Sequence, residues 1–147
     1  MVQTARRVCT TCGFSNDVAV RDILEGSFCR GCRGRLRPLA TPLPVDGRAL
    51  EVIAKGTRLP VLVEIQLRGS KEEREQRDAL EKAAAALEGK AFVVKLDAHE
   101  ERDLAFRLGV VSVPTFLIFL GGQIAYSFEG FADAALMEEW VWQLTRG

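Results

Sequence analysis

Four cysteines, Cys9, Cys12, Cys29 and Cys32, are the residues best suited to chemistry, and all fall within the first 32 of 147 positions. Their spacing, C-x2-C-x16-C-x2-C, is that of a four-cysteine zinc ribbon. A two-residue gap inside a tight turn lets both sulfurs of a pair face one tetrahedral ion at about 2.3 Å. Gly13, Gly31 and Gly34 beside the pairs are expected to supply the left-handed backbone such turns need. The same sulfurs have other uses: two disulfides, a redox-active CxxC pair, or an iron–sulfur site. No signal of an oxidising compartment accompanies them, which weighs against disulfides. One structural Zn2+ with four protein ligands leaves no open coordination position, so metal-assisted hydrolysis is not expected there.

The ribbon's charge bears on whether it binds nucleic acid. Residues 1–40 hold seven arginines (6, 7, 21, 30, 33, 35 and 37) against Asp17, Asp22 and Glu25, a formal excess of four. Four thiolates around one Zn2+ would leave two negative charges and trim that excess. Only Phe14 and Phe28 could stack on bases. Nucleic acid is therefore not the expected partner. The whole chain balances 20 Lys and Arg against 20 Asp and Glu, which argues the same way. The C-terminal apolar run 116–120 is five residues long, far below the ~20 a membrane helix needs. No secretory pattern follows Arg6 and Arg7. A soluble, cytoplasmic protein is expected.

Behind the ribbon the composition changes. Pro38, Pro42 and Pro44 lie within seven residues, so 38–47 reads as a linker between a ribbon at 1–37 and a main domain at 48–147. Asp46 is placed to cap a helix over about 47–55. Residues 59–66 are β-branched and almost continuously apolar, as in a strand covered on both faces. The charged, alanine-rich stretch 70–87 is helical by propensity, with Gly89 to stop it. A second buried strand spans 91–96 and a helix 99–108. The pair 115–120 and 123–128, joined by Gly121-Gly122, forms a hairpin. A last helix over 132–145 sets Leu136, Trp140 and Leu144 on one face. Helices alternating with strands and ending in a hairpin imply an α/β fold, with a mixed sheet covered on both faces.

This order, with Pro-Val-Leu-Val-Glu-Ile at 60–65 and Gly-Val-Val-Ser-Val-Pro-Thr-Phe-Leu-Ile-Phe at 109–119, resembles a thioredoxin. With the N-terminal CxxC pairs, the whole chain resembles the bacterial zinc-ribbon thioredoxins. The resemblance implies a thioredoxin fold preceded by a small zinc ribbon. The family's redox signature, Trp-Cys-Gly-Pro-Cys, is absent. Ungapped alignment from Pro60 to Asp97 puts Gly69-Ser70-Lys71-Glu72-Glu73 in its place, so Ser70 and Glu73 stand at the two cysteine positions. Flanking family aromatics are Gln66 and Gly69 here, and the family's helix-kinking proline is Asp78.

A thioredoxin needs a low-pKa thiolate at a helix N-terminus and a second thiol to resolve the mixed disulfide. Serine cannot do this, and His99, the only histidine, is not identified as a base for it. Ser70-x-x-Glu73 reads instead as a capping box: the hydroxyl accepts the N3 amide while Glu73 reaches back to the cap N–H. The resemblance also implies a buried acid–lysine pair at Glu64 and Lys95, with an ion-pair or solvent-facing role now that no cysteine is served. It implies a cis-proline at Pro114 and a peptide groove of Val113, Pro114, Gly130 and Phe131. The leading expectation is a redox-inactive, polypeptide-binding chaperone-like or adaptor module that is not an enzyme. The alternative is a thiol-disulfide oxidoreductase working through the ribbon's CxxC cysteines, or a zinc-linked redox switch.

Overall fold

The structure, a computed structural model, describes residues 4–146, leaving aside the side chains of Arg21, Leu24 and Glu25. Positions 1–3 of the expected ribbon, position 147 of the expected main domain and the charges counted at Arg21 and Glu25 lie outside the described set. The ribbon opens with an antiparallel hairpin of β1 (Thr4–Val8) and β2 (Ser15–Ala19), followed by the short helix α1 (Val20–Glu25).

The main sheet has five strands: β3 (Leu43–Val45), β4 (Val61–Gln66), β5 (Phe92–Asp97), β6 (Thr115–Leu120) and β7 (Gln123–Glu129). Their spatial order is β3-β5-β4-β6-β7, with β3, β5 and β4 parallel and the β6–β7 hairpin antiparallel. The helices are α2 (Gly47–Gly56), α3 (Lys71–Ala86), α4 (Arg102–Arg107) and α5 (Ala134–Thr145). β4 is central and buried along its whole length, Glu64 and Gln66 included, as a strand covered on both faces is. Gly121 and Gly122 turn the hairpin at φ 64° and 82°, the two positive values a tight β-turn of this kind demands.

Alternation along the strands divides the interior into two cores. Val61, Val63 and Ile65 point to the layer of α2 and α4; Leu62, Phe116 and Ile118 point to the layer of α3 and α5. The ribbon's Ala5, Cys9, Val18, Val20, Ile23, Cys29 and Leu36 belong to the first of these cores, together with Leu39 of the following segment and Leu50 and Ile53 of α2. The ribbon thus packs on the α/β unit rather than hanging from it.

Several sequence-based expectations change. The stretch read as a linker contains β3, which adds to the sheet edge beside β5 despite Pro44; an edge strand tolerates proline because its outer N–H needs no partner. The helix expected over 99–108 shortens to α4, because residues 98–101 form a turn held by Glu101 N–H donating to Asp97 O. In α5 the buried stripe is Met137, Trp140 and Val141, while Leu136 is exposed. Residue 140 packs against Phe116, Tyr126 and Phe128, so the hairpin sets the helix rotation. Among the described residues no helix is long and apolar enough to cross a membrane.

Candidate metal centre and peptide groove

The four cysteine sulfurs lie within 4.8 Å of one another. Two cross-knuckle separations are 3.8 Å (Cys9 to Cys32) and 3.6 Å (Cys12 to Cys29). A tetrahedron with metal–sulfur bonds of about 2.3 Å has edges of about 3.8 Å, so the donor set fits a tetrahedral thiolate-bound ion such as Zn2+. All four cysteines are free, at separations well above a disulfide's ~2.05 Å. A zinc ion bound there would neutralise thiolate charge and tie the two CxxC segments together.

The knuckles share one backbone design. Cys9 N–H donates to Phe14 O and Gly13 N–H to Cys9 O; Cys29 N–H donates to Gly34 O and Arg33 N–H to Cys29 O. The residue after the second cysteine of each turn is left-handed, Gly13 at φ 79° and Arg33 at φ 65°. Gly13 fills the role expected of it; Gly31 and Gly34 do not. The second left-handed position falls to Arg33, a residue no glycine count reveals. Gly31 serves close approach instead, since a Cβ there would stand 2.8 Å from Phe14.

The sulfurs differ in acidity. Hydrogen bonding from the Cys32 amide, with smaller help from Asn16 and Gly31, lowers the Cys29 thiol to about 6 against the opposing effect of burial. The Phe14 amide lowers Cys12, but desolvation and its cysteine neighbours outweigh this and raise it to about 11. The Cys9 thiol is lowered as well, chiefly by the Cys12 amide.

The second site sits at the far end of the sheet. The ribbon's Arg7, Ile23 and Leu36 face Leu59, Ala91 and Phe92, at the N-terminal ends of β4 and β5, across a cavity of about 250 Å3. Ser70 follows the C-terminal end of β4, six residues and about 20 Å along the strand. Ser70 Oγ accepts the Glu73 N–H at 3.1 Å, as a cap should. The reciprocal half of the expected capping box is missing. Ser70 N–H donates to Leu67 O, and the Glu73 carboxylate is turned along the helix to a paired contact with Arg77 at 2.9 and 3.0 Å. A charge-assisted fork is worth more to a buried carboxylate than one amide.

Glu64 is 1% exposed, in register with Lys95 on β5 and Phe116 on β6. Its Oε2 has no hydrogen-bond partner among the described residues. Burial pushes its carboxyl up to about 7; Lys95 pulls it down and Glu73 pushes it further up. The solvent-facing role expected as one option is excluded by this burial. Gln66, two residues on, also buries an unpartnered oxygen.

The Val113–Pro114 peptide bond is cis. Gly130 N–H donates to Pro114 O at 2.9 Å, extending the β6–β7 ladder and bringing Gly130 and Phe131 beside Pro114. Phe131 is half exposed, and Val111 is more so. Sequence reading missed Gln76, a buried α3 side chain that bonds both N–H and C=O of Ala132. Its only signal was a glutamine amid the charged residues of 72–78.

A five-stranded mixed sheet with two helices on each face, a cis-proline opening the antiparallel hairpin and a helix starting after the central strand define a thioredoxin fold, here with a four-cysteine ribbon on its N-terminal side. Residues 74–143 match the thioredoxin family model, beginning one residue beyond Glu73. A thioredoxin of Staphylococcus aureus is 42% identical over 52 residues, 35% of this chain and 50% of that protein. One of Rhodospirillum rubrum is 35% identical over 68 residues, 46% of this chain and 65% of its own. The chain thus spans about half the length of the Staphylococcus relatives it matches. A mutant thioredoxin from Halobacterium salinarum superposes with TM-score 0.67 at 24% identity, covering 74% of this chain and 94% of that one. Chloroplastic thioredoxin z gives 0.66 at 27%, covering 73% and 96%. The fold of the chain is that of the thioredoxins.

Proposed function

We propose that this chain is a redox-inactive thioredoxin-like protein that binds extended polypeptide at the Pro114 groove, with one structural Zn2+ in its ribbon. The observation that carries the reading is the state of the helix start. Ser70 caps α3 and Glu73 is forked to Arg77, so both positions that the resemblance aligns with the thioredoxin cysteines have structural employment. The cis Val113–Pro114 bond and the Gly130 N–H donated to Pro114 O support a groove there. Backbone groups beside a cis-proline can add a strand-like peptide, and half-exposed Phe131 offers apolar contact.

The test pairs two measurements on zinc-saturated protein. Turnover of a generic disulfide protein is expected to stay at the reductant-only level. A carboxymethylated, permanently unfolded polypeptide is expected to bind, and Phe131→Asp to weaken that binding at least tenfold with circular dichroism unchanged. Equal binding by the variant overturns the groove assignment.

The second reading, an oxidoreductase or redox switch based on the ribbon, draws on the solvent exposure of Cys12 and Cys32. Disulfide turnover that disappears in a Cys9→Ser/Cys12→Ser variant would favour it. The position of the ribbon opposite Ser70 speaks for keeping its chemistry separate from the groove.

A further inference from the structure

Among the described residues the ribbon buries one polar side chain outside its cysteines, Asn16, at 3% exposure. Asn16 stands on β2 opposite Arg7, on the inward side of the strand with Val18. Its carboxamide is heavily engaged. Nδ2 donates to Phe14 O at 3.2 Å and Arg7 O at 3.3 Å, and faces Cys29 Sγ at 3.5 Å. Oδ1 accepts the Arg30 N–H at 2.9 Å.

These partners belong to different halves of the cysteine cluster. Phe14 closes the first knuckle through its bond from Cys9, whereas Arg30 lies between Cys29 and Cys32 in the second. Each knuckle is shaped by its own short-range backbone bonds. Those bonds say nothing about how one knuckle is oriented to the other. Apolar packing brings the halves together but is not directional, and a four-sulfur site needs its donors placed to within about 0.2 Å. Asn16 supplies direction, with one atom bonded to each half.

We infer that Asn16 is the positioning residue of the metal centre: it sets the second knuckle in register with the first and donates an N–H to the Cys29 sulfur. The inference rests on reading the four cysteines as a zinc site. Four thiolates and one divalent cation leave a doubly negative cluster, and a buried sulfur cannot be relieved by water. Cys29 is buried and receives Gly31 N–H at 3.3 Å besides Asn16, whereas exposed Cys32 receives Gly34 N–H at 3.4 Å. Asn16 is the one side-chain donor among these N–H groups. Such outer partners orient metal ligands and typically carry 10–100-fold in metal affinity.

The test compares Asn16→Ala and Asn16→Asp with the unaltered chain and with Asp17→Asn, a change at the exposed neighbour. Asn16→Asp keeps an oxygen for the Arg30 N–H but replaces the sulfur's donor with a carboxylate. Zinc affinity is read by competition with a chromophoric chelator, and the sulfur environment by the thiolate-to-cobalt charge-transfer band of Co2+-loaded protein. Both Asn16 variants are expected to bind zinc 10–100-fold more weakly, and Asn16→Asp to shift the cobalt band while circular dichroism of its zinc-saturated form is unchanged. Asp17→Asn is expected to match the unaltered chain in both. Zinc affinity and cobalt band unchanged in Asn16→Asp overturn the role of Asn16 alone. Failure of the unaltered chain to take up zinc overturns the metal reading and this inference together.

Discussion

The side chain of Gln76 meets the backbone of Ala132 twice, donating to its carbonyl at 2.5 Å and accepting its N–H at 3.0 Å. Both groups are buried, 56 residues apart in sequence. The contact pins α3 to the loop that carries Phe131. Gln76→Leu would leave the Ala132 N–H and C=O unpaired in the interior. The expected loss is about 2–3 kcal/mol of unfolding free energy by urea titration, with weaker polypeptide binding through the displaced Phe131 loop.

Glu64 should make stability fall with rising pH. Its folded-state carboxyl lies at about 7, raised first by burial, against an ordinary value of 4.5. Below about 4.5 both states hold the proton and Glu64 contributes nothing. Between about 4.5 and 7 the folded state binds the proton more tightly, so each step up in pH costs stability, on the order of 3 kcal/mol in all. Above 7 the loss is complete and constant. Glu64→Gln should flatten this slope and be the more stable protein at pH 8, as read from urea midpoints across the range.

Ser70 should matter to the helix and not to chemistry. Ser70→Ala removes the acceptor for the Glu73 N–H and is expected to cost about 1 kcal/mol. Polypeptide binding should change by less than twofold once the protein is folded. A large loss of binding with the fold intact would mean that the hydroxyl touches the ligand.

Arg33 holds a left-handed conformation in the second knuckle without the freedom of glycine. The matching position of the first knuckle is Gly13 at φ 79°. Arg33→Gly should relieve roughly 1 kcal/mol of backbone strain, visible as a higher melting temperature of the zinc-loaded protein. An unchanged or lower value would show that the arginine side chain compensates elsewhere.

Removing the metal should be felt beyond the ribbon. Cys9 and Cys29 share a core with Leu50 and Ile53 of α2. A ligand bound only by the folded state adds about 4 kcal/mol at a thousandfold excess over its Kd. Chelation is therefore expected to lower the calorimetric transition of the whole chain, not to split off a small separate one. An unshifted main transition would show that the ribbon and the α/β unit unfold independently.

Much of this was legible in the sequence because it depends on short-range rules. The CxxC spacing, the Ser70 cap, the Gly-Gly hairpin and the almost continuous apolar run of the central strand are each fixed by neighbours within a few positions. Tertiary structure decided what such rules cannot reach. Glu73 chose Arg77 over its own cap because a buried carboxylate gains more from a fork of charged donors. Leu136 faces out and Met137 faces in because the aromatic cluster of Phe116, Tyr126 and Phe128 sets the rotation of α5 through Trp140. Asn16 and Gln76 read as ordinary polar residues until folding brings them to partners 14 and 56 positions away. Long-range hydrogen bonds leave no periodic trace in a sequence, and here they join the knuckles to each other and the helix to the groove.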